Sequence, residues 1–454
     1  MALETVDSAK QGAFSQLLDR YFQFSARGSN FKTEMLAGVT TFSTLSYVLV
    51  VHPMILSAAG MDRGALITVT ALVAAIFTVA MGLRTNYPLA MAPGMGVNAY
   101  LAVQVCQGMH IPWQAALGMV FYSGILFLIV SLTGIRRKIL ESFPDNFKKT
   151  VGAGIGFFIA FLGLKNAQII VGDPHALVAL GSFTSPVVLL GFGGIILAIV
   201  LVYRKVPGAL VISILALTVA GLFLPGAAVG SHITSLPSSV LSWPNSIAPI
   251  FGRLDLLYPL QHPAQSLAIV LALLFSDLFS AMAVLLAIGA AANLNDEHGN
   301  LPKLKEALSA DATASCVGAI FGTTTPIIYL ESAAGVEQGG RTGLTSISTA
   351  ICFALALFLT PIIAIIPAVA TTPALVMIGV FMMQGFNELD FRDGVIAATA
   401  LVTILLTVLA SASDGLALGF ITNVLALALV GQHRHIKPVA YVLVVLFLIH
   451  YIAA

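Results

Sequence analysis

Apolar runs of about 17 to 25 residues, the length a helix needs to cross a hydrocarbon core of ~30 Å, recur along the whole of this chain. They fall near residues 34–59, 64–83, 90–107, 112–133, 150–171, 185–203, 206–226, 264–291, 305–322, 331–343, 345–367, 372–386, 394–411 and 414–432. That makes 14 candidate segments, with a run at 438–453 left over as a further span, a re-entrant piece or an interfacial helix. Lipid offers backbone groups no partner, so each such run must satisfy its own hydrogen bonds as a helix. Composition agrees: 58% of the 454 residues are hydrophobic and 9% are charged, against roughly 25% charged in soluble domains. With a mean hydropathy of +0.98, the chain lacks the residues for a polar exterior. The expected fold is an all-α polytopic membrane protein without a soluble domain.

A formal charge of +1 gives no reason to expect nucleic acid or an acidic partner. Cys106, Cys316 and Cys352 are odd in number, scattered and set among apolar or small residues, as buried hydrophobes are. The nine histidines mostly sit near segment ends, and no two lie at ligand spacing within one apolar run, so haem or zinc ligation has no support. Residues 1–30 lack an uninterrupted apolar stretch and do not form a signal peptide.

Lys and Arg of the short loops set the orientation. The arm at 1–33 with Lys10, Arg20, Arg27 and Lys32, the loop with Arg84, the cluster Arg136, Arg137, Lys138, Lys148 and Lys149, the pair Arg204 and Lys205, and Lys303 with Lys305 fall on one side if crossings alternate. Arg341, Arg392 and the HRHIK stretch fall there too. That side is the cytoplasm, which places the N-terminus on the cytoplasmic side of the cell membrane and the loop 227–263 on the external side.

Polar and helix-breaking residues interrupt four segments at depths where an ionisable group costs ~2.5 to 3.5 kcal/mol. The third reads NYPLAMAPGMGVNAYLAV, with Gly94, Gly96 and Asn98; the eighth contains LLFSDLFSAMAV, with Asp277 and Ser280; the ninth begins EALSADATASCVGAIFG, with Asp311; and TPIIYLESAAG leads into the tenth at Glu331. The third and tenth share one plan: proline, a short extended piece, then small residues and one hydrogen-bonding side chain where a helix begins. They lie seven spans apart in the count. An odd offset reverses the direction of entry, the mark of an inverted repeat, and transporters built this way hold substrate at the midplane between broken helices.

Each polar group also has a plainer reading. Gly94 and Gly96 suit close helix packing, Asn98 suits interhelical bonding, and Asp311, a few residues past Lys303, Lys305 and Glu306, suits a solvated helix end. Asp277 is deep in its run with no basic residue within 20 positions, and Glu331 stands where Ser or Asn would cap a helix at lower desolvation cost. These two acids point to function.

At these residues the chain resembles a known family. APGMGVNAY, ESAAGVEQGGRTGLTS, TVGAGIGFFIAFLGLKNA and GSNFKTEMLAGVTTFSTLSYVLVVHP look like the azaguanine-type purine permeases, a branch of the nucleobase/cation symporters, from about residue 27 onward. The resemblance implies 14 spans in two inverted repeats of seven. It implies a core domain at 34–133 and 264–367, a gate domain at 150–226 and 372–454, and extended pieces at 89–92 and 327–330. It puts the substrate carboxylate on Glu331, the amide on Asn98 and the span-9 acid on Asp311. On span 8 the family's VDLFDTxGT reads SDLFSAMAV here: Asp277 keeps the first acid, Ser280 stands at the second, and Met282, Ala283 and Val284 replace residues of the T-x-G-T.

The chemistry suits a purine base, a flat neutral ring with donors and acceptors on its edges. Glu331 accepts ring N–H groups, Asn98 donates and accepts, and backbone N–H groups near Gly94, Gly96, Ser332 and Ala333 donate. Phe275, Phe279 and Tyr100 are stacking candidates, although aromatic residues at this spacing more often pack a core. A desolvated carboxylate readily holds a proton, so Asp277, Glu331 and Asp311 are candidates for coupling. The expectation is proton symport of purine nucleobases by alternating access, with the proton as coupling ion, no other cofactor and a homodimer allowed by the resemblance. An uncoupled facilitator, or a transporter of another small planar or anionic solute on this fold, is the alternative. Anion exchange would favour a cation at the site, whereas carboxylates repel anions. No nucleophile–base pair or metal cluster supports an enzyme, and a passive channel has no need of broken helices that start with an acid and an amide.

Overall fold

The structure, a computed structural model, describes residues 13–133, 145–173, 177–226, 232–237, 239–294, 296, 301–409, 412–432 and, beyond these, 436–438, 440, 441, 444, 445, 447 and 448. Arg136, Arg137, Lys138 and most of the run at 438–453 lie outside the described residues. Chain order runs α1 (Ala13–Phe22), α2 (Phe31–Leu45), α3 (Val48–Ser57), α4 (Arg63–Thr85), β1 (Met91–Pro93), α5 (Met95–Ala99), a π-helix (Tyr100–Gly108), α6 (Trp113–Thr133) and α7 (Asp145–Asn166). There follow β2 (Ile170–Asp173), β3 (Leu177–Leu180), α8 (Pro186–Tyr203), α9 (Ala209–Gly221), α10 (Tyr258–Gln261), α11 (Pro263–Ala291) and α12 (Leu304–Phe321). The last part holds β4 (Pro326–Ile328), α13 (Ser332–Glu337), α14 (Gly343–Ala356), α15 (Thr360–Ala364), α16 (Ala368–Met382), α17 (Gly394–Leu409) and α18 (Ala412–Leu429).

Among the described residues, six helical stretches are long and apolar enough to cross a membrane: Phe31–Ser57, Arg63–Thr85, Trp113–Thr133, Pro186–Tyr203, Gly343–Ala364 and Ala368–Glu388. Local chemistry fixes their ends. Asn30 accepts a hydrogen bond from Thr33 N and Asp62 from Ala65 N, capping α2 and α4. Asn86 closes α4 in the left-handed region at φ 55°, which Asn tolerates.

Three features depart from the sequence reading. The expected all-α fold contains two small antiparallel sheets, β1 with β4 and β2 with β3. The second is a hairpin just past α7, in the tail of the run expected at 150–171. The tenth segment, expected at 331–343, is helical only over Ser332–Glu337, because Gly339 turns the chain at φ 103°, a conformation that only glycine adopts freely. The extended pieces are shifted from 89–92 and 327–330 to Met91–Pro93 and Pro326–Ile328. In each of these a proline removes a backbone donor and pushes the residue before it into extended conformation.

Helix packing forms two groups. In one, α14 lies against α2 and α4, α6 against α11 and α12, α4 against α3 and α12, and α13 against α2 and α11. In the other, α16 lies against α7, α8 and α9, α17 against α7 and α18, and α9 against α8. The seam between them is made by α5 with α7, α11 with α18, α2 with α9 and α3 with α16.

The GGRTG motif builds one end of the first group. Glu34, fully buried on α2, accepts from Arg341 N at 2.9 Å, Thr345 N at 3.2 Å and Thr345 Oγ1 at 2.6 Å, so its carboxylate closes the start of α14. Arg341 donates to the carbonyls of Val336 and Gly340, and Arg27 to those of Asn86 and Arg341. A Cβ on Gly343 would collide with the Gly82 carbonyl, so glycine sets how closely α14 approaches α4.

Candidate functional site

The two broken segments meet head to head. β1 and β4 pair antiparallel with Met91 opposite Ile328, Ala92 opposite Ile327 and Pro93 opposite Pro326. The ladder continues through Gly94 N donating to Thr325 O and Tyr329 N to Ala90 O, at 2.9 and 3.0 Å. Side chains lock the crossing. Ser332 Oγ accepts from Ala90 N at 2.9 Å and donates to Tyr329 O at 2.7 Å. Tyr329 donates its phenol to Pro93 O at 2.5 Å. From this crossing α5 and α13 lead away, with Gly94 and Glu331 at the residues that precede them.

Glu331 is only partly buried, and Oε1 accepts a 2.6 Å hydrogen bond from Tyr47. Tyr47 sits in the break between α2 and α3 and is itself buried. A charge-assisted bond of this length orients the carboxylate and leaves it further acceptor capacity. Asn98 is fully buried one turn into α5, and its Oδ1 accepts from the Thr324 hydroxyl. The amide therefore has a fixed orientation, with Oδ1 committed within the protein.

Thr323, Thr324 and Thr325 are all fully buried, and they address three different segments. Thr324 holds Asn98. Thr323 meets His52 Nε2 at 2.9 Å, while His52 Nδ1 meets Thr70 Oγ1 at 2.7 Å. Because Thr70 donates to Leu66 O, it accepts from Nδ1–H, and Nε2 accepts from Thr323. Thr325 stands beside Asp277, outside good hydrogen-bond geometry. Asp277 and Asp311 are buried and close enough to feel each other's charge.

Some expected donors are already spent. The N–H groups of Gly94, Ser332 and Ala333 bond to Thr325 O, Tyr329 O and Leu330 O, so they serve the crossing and not a ligand. Gly96 faces a cavity of about 20 Å³ at the seam, lined also by Val97, Tyr100, Ile155, Phe158 and Ser276. Ser276, one residue before Asp277, lines this cavity from α11 together with Ala272 and Leu273. Ser280 is partly buried; the side chain of Phe279 lies outside the described residues. Phe275 packs with Phe147 and Phe420, as a core aromatic does. Asp311 is fully buried and not at the solvated helix end its neighbours suggested.

Sequence reasoning passed over Tyr47, His52 and the three threonines. The TTTP run directly before β4 was a signal: three hydroxyls in an apolar segment require partners.

Comparison with known proteins accords with this architecture. The Permease family model (Xan_ur_permease) matches residues 32–446. The guanine/hypoxanthine permease PbuG of Bacillus subtilis is 36% identical over 442 residues, covering 95% of this chain and 99% of that protein. The adenine permease AdeP of Escherichia coli is 33% identical over 446 residues, covering 98% and 97%. Among solved structures, the transmembrane domain of the cyanobacterial bicarbonate transporter BicA superposes with a TM-score of 0.61 at 16% identity, covering 84% of this chain and 97% of that one. At that identity the likeness concerns the fold alone, a mostly helical membrane transporter. The chain belongs to the permease family that this model describes, and it is a membrane transporter, not an enzyme.

Proposed function

We propose that this protein takes up purine nucleobases across the cell membrane by proton symport and alternating access. One observation carries the reading: a carboxylate, Glu331, oriented by Tyr47 at 2.6 Å, precedes the short helix on one side of the crossing of two broken segments, and a buried amide, Asn98, lies on the short helix that leaves the other side. A neutral planar base with N–H edges suits such an acceptor. The names of PbuG and AdeP, a guanine/hypoxanthine and an adenine permease, point to the same substrate class. Asp277, Asp311 and Glu331 are the candidate proton carriers, and Ser280 is a candidate selectivity position.

The architecture proposed with this function is 14 spans in two inverted repeats, with a core at 34–133 and 264–367 and a gate at 150–226 and 372–454. Helix pairing supports it, because contacts recur when spans are counted seven apart. The pair α6 and α12 corresponds to α14 and α4, α7 and α17 to α16 and α8, and, across the seam, α11 and α18 to α2 and α9. A cytoplasmic N-terminus is supported by the gathering of Arg27 and Arg341 with the end of α4, near Lys303, which bonds to Tyr87. Outward-facing Leu189, Phe192 and Ile196 on α8 suit lipid or a gate-to-gate homodimer.

Uptake into proteoliposomes with adenine, guanine, hypoxanthine, xanthine and uracil, at two external pH values, tests the reading. Saturable purine uptake that rises with an inward proton gradient is expected. No transport of any base refutes the substrate class. Equal rates with and without the gradient refute symport and leave a facilitator.

A further inference from the structure

Part of the loop between α9 and α10 is too apolar to face water. Residues 233–252 carry no charged side chain, and Leu236, Val240, Leu241 and Trp243 are 79%, 63%, 65% and 83% exposed. A contiguous exposed apolar patch marks a surface with a partner. The stretch is pinned on both sides. Thr234 N donates to Gly221 O at the end of α9, and Ser242 N donates to Phe358 O at 3.1 Å, just past the end of α14. Trp243 lies edge-on to Phe358 with ring centroids 5.9 Å apart. A groove of about 600 Å³ opens there, lined by Leu241, Ser242, Trp243, Leu355, Phe358 and Leu359.

What covers this face follows from what it continues. Ile351, Leu355, Phe358 and Leu359 recur at helical spacing and form one exposed apolar stripe. They belong to Gly343–Ala364, a stretch long and apolar enough to cross a membrane, so the stripe faces lipid. The loop adds its own apolar side chains at the end of that stripe, and the same hydrocarbon reaches both. Backbone conformation sets the depth. Residues 235–237 and 239–247 form neither helix nor strand, and irregular backbone exposed to lipid does not occur within the hydrocarbon region, where its amides would lack partners. The chain therefore lies at headgroup level, with its apolar side chains reaching inward. Trp243 suits that level, because its ring is apolar and its indole N–H is a donor.

We propose that Leu236, Val240, Leu241 and Trp243 enter the membrane interface, and that the groove between Trp243 and the end of α14 seats one phospholipid by its acyl chain. The site is separate from Glu331 and does not depend on the substrate reading. It has no preference for headgroup charge. Anionic headgroups are drawn by Lys and Arg, and neither occurs between Ile233 and Gly252, so burial of apolar surface drives the contact. The segment also joins the two helix groups, since α9 packs in one and α14 in the other. A seated lipid holds this connection at the membrane surface.

Trp243 can report its own surroundings, because the chain has two tryptophans and Trp113→Phe leaves it as the sole emitter. The full chain is placed one per nanodisc, so that no second copy covers the groove. The lipid is phosphatidylcholine, either unbrominated or brominated close to the ester or near the middle of the acyl chain; bromine quenches indole on contact. Trp243 is expected to lose most of its emission to ester-proximal bromine, less to mid-chain bromine, and little to acrylamide in the water. Adding phosphatidylglycerol should change none of this. In mixtures with unbrominated lipid, emission should fall in proportion to the brominated fraction, as one seated lipid requires. Leu241→Asp, at an exposed position, should open Trp243 to acrylamide and reduce quenching by bromine while the melting temperature stays near that of the parent. Should Trp113→Phe fail to fold, the difference in emission between wild type and Trp243→Phe supplies the same readings. Full access to acrylamide with no quenching by bromolipid places the segment in water and overturns the proposal. Stronger quenching from mid-chain, quenching that needs phosphatidylglycerol, or quenching that saturates at a low brominated fraction, as many exchanging lipids would give, overturns it as well.

Discussion

Tyr47→Phe isolates the contact that orients Glu331. The phenol donates at 2.6 Å to Oε1, and the ring is 1% exposed, so removing the hydroxyl leaves the packing in place. Two effects separate. A hydrogen bond to a charged group contributes about 1.5 to 3 kcal/mol, which should appear as lower thermal stability of the substrate-free protein. The freed carboxylate must then be ordered by substrate, at about 0.5 to 1.5 kcal/mol for one immobilised side chain, or about 2- to 13-fold in Kd. Equilibrium binding of labelled purine to protein in nanodiscs reads the second effect, and a melting curve of the same sample reads the first. A Kd within twofold of wild type together with an unchanged melting temperature would show that Tyr47 does not position Glu331.

Glu331→Gln replaces one acceptor oxygen with a donor, so purine binding should fall below detection while the melting temperature stays near that of wild type; retained affinity would remove Glu331 from the site. Ser280→Asp restores an acid three residues after Asp277 and should shift affinity or selectivity among bases in competition assays, and a variant indistinguishable from wild type places residue 280 away from the ligand. Glu34→Gln weakens the buried acceptor at the start of α14 and should lower stability by about 1.5 to 3 kcal/mol, read by thermal unfolding, with little change in Kd for protein that remains folded.

The class of fold was legible because it follows from hydropathy, a property summed over many residues. Glu331 and Asn98 were legible because an acid and an amide in an apolar run have few structural uses. The partners were not. Tyr47 is 284 positions from Glu331, and nothing near either residue announces the other. His52 looks like any histidine in sequence; its role appears only when Thr70 and Thr323 close on both ring nitrogens. The ends of the tenth helix were missed for a local reason: residues 331–343 read as one small-residue run, and only the left-handed turn at Gly339 divides it. Backbone donors at Ser332 and Ala333 were assigned to a ligand because the sequence does not show that the chain itself takes them.

The seam cavity bears on how substrate moves. At about 20 Å³ it has room for one water and far less than a bicyclic base, so a base taking this route would require α5 and α11 to separate from α7. Gly96 is a close approach on this line, since a Cβ there would lie 2.8 Å from Ile155 Cγ2 and 3.8 Å from Met382 Cε. Gly96→Ala therefore strains the closed seam and spares the separated one. An overpacked contact costs about 1 to 3 kcal/mol, enough to shift an equilibrium between closed and separated states about 5- to 150-fold toward separation. If the two helix groups move apart during transport, maximal uptake should fall while equilibrium affinity for base holds or improves, because the variant favours the state that admits it. If the seam is static and substrate reaches Glu331 another way, stability should fall and uptake per folded molecule should not change. Uptake and binding measured on the same preparation, normalised to folded protein, decide between these outcomes.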